Sequence, residues 1–124
     1  MLIAYWITAA LLALVYLAAG SPKIFRSKEA LLASGQGWVK DVNPSLPKLV
    51  GILEVLGALG VILPPLTGIA IFLAPTAAVG LVLVQAVAIG IHVKAGETKA
   101  LPVNFILLGL AAVVGGLGIA SLPL

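Results

Sequence analysis

Four long apolar stretches, separated by short polar or proline-rich segments, constrain the fold of this chain more than any other feature. They run over about residues 2–19, 47–63, 66–93 and 102–120. A membrane-spanning helix needs about 20 largely apolar residues, and each stretch comes close to or exceeds that length. The 124-residue chain is 62% hydrophobic and 9% charged, whereas a soluble domain averages about 45–50% and about 25%. A chain this short cannot hide so much apolar surface from water, so we expect lipid to surround most of it.

The connecting segments contain the usual signals for helix ends. Gly20-Ser21-Pro22-Lys23 predicts the end of the first helix, which carries Tyr5 and Trp6 near its start, where an interfacial aromatic belt would lie. We expect a short interfacial helix near residues 27–34, followed by Trp38 as an anchor among the lipid headgroups.

Prolines mark the second half of the chain in the same way. Pro64-Pro65 is predicted to end the second span and to leave a very short turn before the third. The third span, 66–93, is longer than a bilayer requires, and Pro75 is expected to kink it.

Four spans with short connections predict an all-α membrane protein, an antiparallel four-transmembrane-helix bundle formed by a single domain over residues 1–124. A soluble bundle would need a polar face on every helix, and the last two helices have none. Glycines recur along the helices, as at Gly57, Gly60, Gly109 and Gly115. They either allow close helix packing or reflect the high glycine content of membrane helices in general.

All seven basic residues lie in the loop between spans one and two or in the loop between spans three and four. In an antiparallel bundle these two loops share one side, which the positive-inside rule makes cytoplasmic, with both termini outside. The expected location is a bacterial inner membrane, crossed several times. A polar mouth that binds an anion would produce the same asymmetry.

No Lys or Arg precedes the first apolar run, which disfavours a cleaved signal peptide.

Glu54 is a lone carboxylate in the second apolar stretch, at a depth of roughly 9 Å from Lys48 by helical rise. A charged group at such a depth needs a partner and is a candidate functional residue by default. Every helix contributes a polar side chain to the same, cytoplasmic half of the bundle. We therefore predict a polar pocket open to that side. Its candidate residues are Tyr16, Lys23, Glu54, Gln85, His92 and Asn104.

Each candidate also has a structural interpretation. Glu54 would pair with a lysine or stay neutral through burial, and the two amides would bridge helices. Tyr16 would pack in the core, and His92 would sit at the membrane edge. Lys23 would satisfy the positive-inside rule or bind lipid phosphate.

Several functional classes are disfavoured. There is no basic face interleaved with aromatic residues, so no nucleic-acid partner is expected. The chain has no cysteine and one histidine, which leaves too few ligands for a metal and no adequate haem ligation. A serine suited to a nucleophilic triad is lacking. A glutamate and a histidine can still exchange protons in a partly dry site, so whether the protein is an enzyme stays open.

The motifs together resemble those of DoxX-like membrane proteins. Gly20-Ser21-Pro22-Lys23 resembles the Gly-x-x-Lys that closes their first helix, and Gly51-Ile52-Leu53-Glu54 followed by Gly57 resembles their second. A third helix ending near His92, then a polar loop and a fourth helix led by Pro102, is similar to the subgroup with a histidine there. Pro22 inside the first motif departs from the usual pattern.

The resemblance implies a small four-helix integral membrane protein. The family name goes back to a quinone-reducing sulfur-oxidation system, and other relatives are linked to redox homeostasis or act as assembly or cargo factors. The favoured hypothesis is a pocket that binds a quinone- or lipid-like amphiphile, with no intrinsic cofactor, as part of a membrane redox system. The partners would be membrane lipids, a redox or other membrane protein, or a second copy of the chain. The alternatives are an accessory or chaperone subunit that uses its glycine-rich helix faces, and a minimal small-molecule transporter.

Overall fold

The computed structural model describes residues 1–124, which are mainly helical and include no β-strand. The α-helices are α1 (Leu2–Phe25), α2 (Lys28–Ala33), α3 (Ser45–Thr67), α4 (Leu73–Lys94) and α5 (Leu101–Ser121). Short 3₁₀ turns occupy Gly37–Val39 and Thr98–Ala100. The four helices other than α2 are long and apolar enough to cross a membrane. Helix α2 lies within the range predicted for a short helix; its position at a membrane interface stays a prediction.

The four long helices form an antiparallel bundle in which each contacts two neighbours. Helix α1 packs against α3 and α5, and α4 packs against α3 and α5, so α1 and α4 lie on one diagonal. The buried positions of α1 recur every three or four residues, from Tyr5 through Ala9 and Leu12 to Tyr16, and face the bundle axis. Large apolar side chains also cover the outside, such as Ile7 and Leu14. The all-α bundle predicted from the sequence is confirmed, and helices that are apolar all round suit a lipid environment.

Helix α1 does not end at Gly20-Ser21-Pro22-Lys23 but continues to Phe25, with Pro22 inside it. Proline removes only the N–H that would bond the carbonyl of Ala18, and membrane helices tolerate such a loss where neighbouring helices pack closely. The helix ends where Arg26 turns to an extended conformation and its N–H donates to the Pro22 carbonyl at 2.9 Å. The predicted end was therefore too early by about one and a half turns.

The predicted break at Pro64-Pro65 is also wrong, because α3 continues to Thr67. It ends at Gly68, whose φ of +75° is the left-handed conformation that closes many helices. Residues 68–72 form the turn and α4 begins at Leu73 rather than at 66. Pro75 consequently lies in the first turn of α4, where proline is tolerated, and does not kink a longer helix.

Tyr5 explains how α3 accommodates Pro65, the second residue of the Pro64-Pro65 pair. Pro65 has no N–H, so the carbonyl of Val61, four residues earlier, lacks its helical donor. The Tyr5 hydroxyl donates to that carbonyl at 2.5 Å, and both residues are fully buried. Tyr5 is therefore a hydrogen-bonding core residue that joins α1 to α3, and the prediction that placed it in an interfacial belt was wrong.

We expect Tyr5→Phe to lower the free energy of unfolding by about 1–3 kcal/mol, the cost of leaving a buried acceptor unsatisfied. The matched control is Tyr16→Phe. Tyr16 donates to the carbonyl of Leu107 at 2.9 Å, but Ala111 still has an N–H to offer that carbonyl within the uninterrupted α5. Denaturant titration in detergent, followed by circular dichroism, should show the larger loss for Tyr5→Phe; equal losses would contradict the role assigned to Pro65.

Glycines bring α3 and α4 together in the half of the bundle away from the basic loops. A Cβ atom at Gly57 would collide with the Leu81 side chain, and one at Gly60 would lie 2.7 Å from the Ala77 Cβ. The packing interpretation of these glycines is supported here. Gly109, by contrast, has no atom within 4 Å of the place a Cβ would take.

Candidate functional site

A cavity of about 450 Å³ lies at the end of the bundle that carries the basic loops, called the basic end below. It is lined by residues of α1, α3, α4 and α5 and by residues of the segment 34–38. Polar or aromatic side chains form much of its wall: Lys23, Arg26, Ser34, Gln36, Trp38, Glu54, Gln85, His92, Glu97 and Asn104. Apolar residues of the same four helices complete it.

Two glycines build the wall between α1 and α3. A Cβ at Gly51 would lie 2.6 Å from the Gly20 carbonyl oxygen, and a Cβ at Gly20 would lie 2.9 Å from the Gly51 carbonyl oxygen. Real Cβ atoms do not approach a backbone oxygen so closely, so the two helices touch backbone to backbone. Lys23 and Glu54 each follow one of these glycines by three residues, which is nearly one helical turn. The glycine contact thus brings the two charged residues within reach of each other.

Lys23 and Glu54 form an ion pair inside the bundle. The Lys23 Nζ lies 2.6 Å from the Glu54 Oε1, and the Gln85 Nε2 donates to the Glu54 Oε2 at 3.4 Å. The Glu54 side chain is fully buried, whereas 15% of the Lys23 side chain remains exposed. Each carboxylate oxygen therefore has a donor, and the charge of Glu54 is compensated. Of the two structural interpretations of Glu54, pairing with a lysine matches this geometry.

His92 carries the one buried side-chain nitrogen or oxygen atom in the protein that lacks a hydrogen-bond partner. Its side chain is 10% exposed, and its Nδ1 has no hydrogen-bond partner in the protein. The closest carboxylate oxygen, Oε2 of Glu97, is 3.9 Å away, which is beyond hydrogen-bonding distance. A buried polar atom without a partner costs about 1–3 kcal/mol. Because His92 lines the cavity, this unpaired nitrogen marks the residue as a candidate contact for a bound molecule.

The structure brings five of the six predicted pocket residues to this cavity: Lys23, Glu54, Gln85, His92 and Asn104. Tyr16 is the exception, because it is fully buried and does not line the wall. Its hydroxyl donates to the carbonyl of Leu107, and Leu107 does line the cavity. Tyr16 therefore supports the cavity wall from the core, as its structural interpretation predicted.

Trp38 lines the cavity, although the sequence predicted it as an anchor among the lipid headgroups. It is only 8% exposed and packs with Leu31 and Val39, so it does not project among headgroups as predicted. Its ring centroid lies 6.0 Å from that of His92, at an interplanar angle of 69°, and its Nε1 donates to the Gln36 Oε1 at 3.1 Å. The one sequence signal for this arrangement is the Gly-Gln-Gly turn before Trp38, which lets the chain fold back over the cavity.

Gly35 and Gly37 each have a physical role in that turn. Gly35 has a φ of +94°, a left-handed conformation that side chains disfavour. A Cβ at Gly37 would lie 3.3 Å from the Glu97 Oε1, so the turn lies directly against the loop between α4 and α5. The segment 34–38 and that loop therefore lie together at the basic end and both contribute to the cavity wall.

Four apolar helices of membrane length, with a polar cavity at one end, define a small multi-pass membrane protein. Residues 7–114 match the DoxX-like family, and the chain belongs to that family. The matched range contains every residue that lines the cavity. Comparisons with curated proteins and with solved structures give no match.

Proposed function

We propose that the cavity binds the polar head of a quinone- or lipid-like amphiphile, and that the protein serves a membrane redox system in a bacterial inner membrane. The observation that carries this proposal is the unpaired Nδ1 of His92, buried in the wall of a cavity of about 450 Å³. A cavity of 300–1,000 Å³ with a few convergent polar groups is typical of small-molecule sites. The chain alone leaves the histidine nitrogen without a partner, and a ligand oxygen would supply one.

The chemistry of the wall favours a neutral head with carbonyl or hydroxyl oxygens. The charges of Lys23 and Glu54 already compensate each other at 2.6 Å, so a bound ion would have to disturb a buried pair. Asn104 and Gln85 present amide groups to the same space, and an amide can both donate and accept. A quinone offers two carbonyl oxygens on a ring, which matches donors placed on different helices.

Proton exchange is the reaction chemistry that these residues can provide. Glu54, His92 and Glu97 line the cavity together with Lys23 and Arg26, and carboxylates and imidazoles serve as general acids and bases. Electrons would come from a partner protein or reside on the quinone, since these side chains carry protons rather than electrons. The proposed role is therefore ligand binding and proton transfer rather than a self-sufficient oxidation.

The basic end would face the cytoplasm. All seven Lys and Arg residues of the chain lie in the loops at that end or within the adjoining helix ends, and the positive-inside rule assigns such loops to the cytoplasmic side. Both termini would then lie outside. Cysteine labelling at Gly96 and at Pro123 with a membrane-impermeant reagent would test this orientation.

His92→Phe tests the proposed binding. Benzoquinone with a decyl chain is the probe, and quenching of Trp38 fluorescence is the readout in a background where Trp6 is replaced by Phe. We expect the substitution to weaken binding at least about tenfold, which corresponds to about 1.4 kcal/mol. Stability should stay the same or rise, because the unpaired nitrogen is removed.

Thr76→Val is the matched control for that experiment. Thr76 lies on the same helix as His92, is exposed, and bonds only to the carbonyl of Phe72. It should leave both affinity and stability unchanged. Wild-type affinity in His92→Phe, or a loss of stability in place of a loss of binding, would show that His92 is structural.

An accessory role for another membrane protein remains the second candidate, and the outer face of α5 favours it. Gly109, Ala112 and Gly116 lie on that face, and no atom comes within 4 Å of the position a Cβ would take at either glycine. Small residues on a lipid-facing helix allow a second helix to approach closely. A partner that co-purifies in stoichiometric amount, and that is lost from Gly116→Leu but kept by His92→Phe, would favour this role.

No structural feature gives similar support to the transporter hypothesis. The four long helices are continuous, whereas many transporters build their substrate sites from broken helices.

A further inference from the structure

A second cavity, here called the α3–α4 groove, lies on the outside of the bundle next to the first. Its volume is about 500 Å³, and every residue that lines it is apolar or glycine and belongs to α3 or α4. Three of these residues, Val50, Val84 and Val87, also line the polar cavity. A wall formed by these valines is therefore shared by a polar compartment inside and an apolar groove that faces lipid.

The position of the groove follows from how α3 and α4 touch. Their close contact lies at Gly57 against Leu81 and at Gly60 against Ala77. Val50 precedes Gly57 by about two turns on α3, and Val84 follows Leu81 on α4, so the shared valines lie nearer the basic end. The groove thus runs along the α3–α4 contact, from Gly57, Ala77 and Leu81, which also line it, to the shared valines beside the polar cavity.

Two other sides of the polar cavity suit an apolar chain less well. Between α1 and α3 the backbones meet at Gly20 and Gly51, where a Cβ on either glycine would lie 2.9 Å or less from the carbonyl oxygen of the other. At the basic end the segment 34–38 forms part of the cavity wall, and the charged loops there suit an aqueous surface rather than an apolar chain. An amphiphile whose head occupies the cavity must extend its apolar part somewhere, and the α3–α4 groove is an apolar surface that shares a wall with the cavity.

We propose that the α3–α4 groove holds the single apolar chain of the ligand and that the ligand enters from the membrane plane, between α3 and α4. This inference rests on the proposed function, because it takes the head group of the ligand to lie in the polar cavity. The groove is an entirely apolar surface of extended shape beside a polar site, which fits one isoprenoid or alkyl chain. Burial of that chain supplies affinity in proportion to the apolar area covered.

Gly80→Phe tests the proposal by filling the groove. Gly80 lines the groove and is exposed, and no atom lies within 4 Å of the position that a Cβ would take. The protein should therefore fold with the substitution, which circular dichroism and thermal unfolding will check. Gly90→Phe is the matched control, because Gly90 is equally open on the same helix but lines neither the cavity nor the groove.

Two probes distinguish the contribution of the ligand's apolar chain to binding from that of its head group. One is benzoquinone with a decyl chain, and the other is the same quinone head with a methyl group in place of the decyl chain. We expect wild type to bind the decyl probe more tightly than the methyl probe. Gly80→Phe should weaken decyl binding at least about tenfold while leaving the methyl probe unchanged, and Gly90→Phe should alter neither. That pattern supports a chain in the groove.

Other results overturn the inference. An unchanged decyl affinity in Gly80→Phe, or equal weakening of both probes, would show that no chain lies in the groove. A wild type that binds both probes equally well would leave the head site intact and remove the chain site. If wild type binds neither probe, the proposed function fails first and the inference fails with it. If Gly80→Phe changes the oligomeric state in light scattering without a chain-dependent effect, a second copy of the protein occupies the groove instead.

Discussion

Lys23→Met should destabilise the bundle by about 3–5 kcal/mol, because removing one partner of a buried ion pair leaves an uncompensated charge. The charge left behind would be that of Glu54, which is fully buried and bonded otherwise only to the Gln85 amide at 3.4 Å. Methionine keeps most of the length of lysine, so little cavity volume is created. Unfolding in detergent by sodium dodecyl sulfate, followed by circular dichroism, measures the loss.

Glu54→Gln should have a smaller effect than Lys23→Met. The Lys23 side chain is 15% exposed in the wall of the cavity, so its ammonium group can turn towards water when the carboxylate is gone. The double variant Lys23→Met with Glu54→Gln should recover part of the stability, since neither charge remains. Equal single effects that simply add in the double variant would show that the two side chains do not interact.

Gly51→Leu should have the largest effect of all these substitutions. Its Cβ would lie 2.6 Å from the Gly20 carbonyl oxygen and 2.9 Å from the Lys23 Cβ, and a backbone oxygen cannot move aside alone. Overpacking costs about 1–3 kcal/mol, and separating α1 from α3 also opens the Lys23–Glu54 pair, which adds about 3–5 kcal/mol. We expect the variant to fail to form a stable bundle, with a broad unfolding transition or none.

Gly90→Leu controls for the addition of a leucine to a membrane helix. Gly90 is exposed on α4 and a Cβ there meets no atom within 4 Å. It should unfold like wild type. A Gly51→Leu protein that is as stable as Gly90→Leu would contradict the backbone contact between α1 and α3.

The number of helices and their antiparallel order could be predicted from the sequence, because apolar length alone decides them in a lipid environment. Their bounds could not. Pro64-Pro65 is a local signal for a helix end, yet a hydroxyl from Tyr5, 56 positions before Val61 in the chain, satisfies the carbonyl that Pro65 leaves free. A contact this distant in sequence is invisible to any local rule.

Most residues of the candidate site could be predicted from their depth along each helix, but the ion pair between Lys23 and Glu54 could not. Depth along the helix places Glu54, Gln85 and Asn104 in one half of the bundle, and the structure puts all three on one cavity. The same count leaves Lys23 at the membrane edge, because depth is measured at the backbone. Its flexible stem carries the ammonium group deeper to reach Glu54. The direction of a long side chain, and the burial of Trp38 by the returning loop, depend on tertiary packing.

The ion pair between α1 and α3 also has a consequence for biosynthesis. The ribosome makes Lys23 before Glu54, so the counter-charge is already at the membrane when the carboxylate leaves the translocation channel. The N-terminal hairpin of α1 and α3 can therefore partition into lipid as an electrically neutral unit, without waiting for α4 and α5. A membrane helix with an isolated carboxylate would insert at a penalty of about 2.5–3.5 kcal/mol, and the order of the two helices along the chain removes that penalty during synthesis.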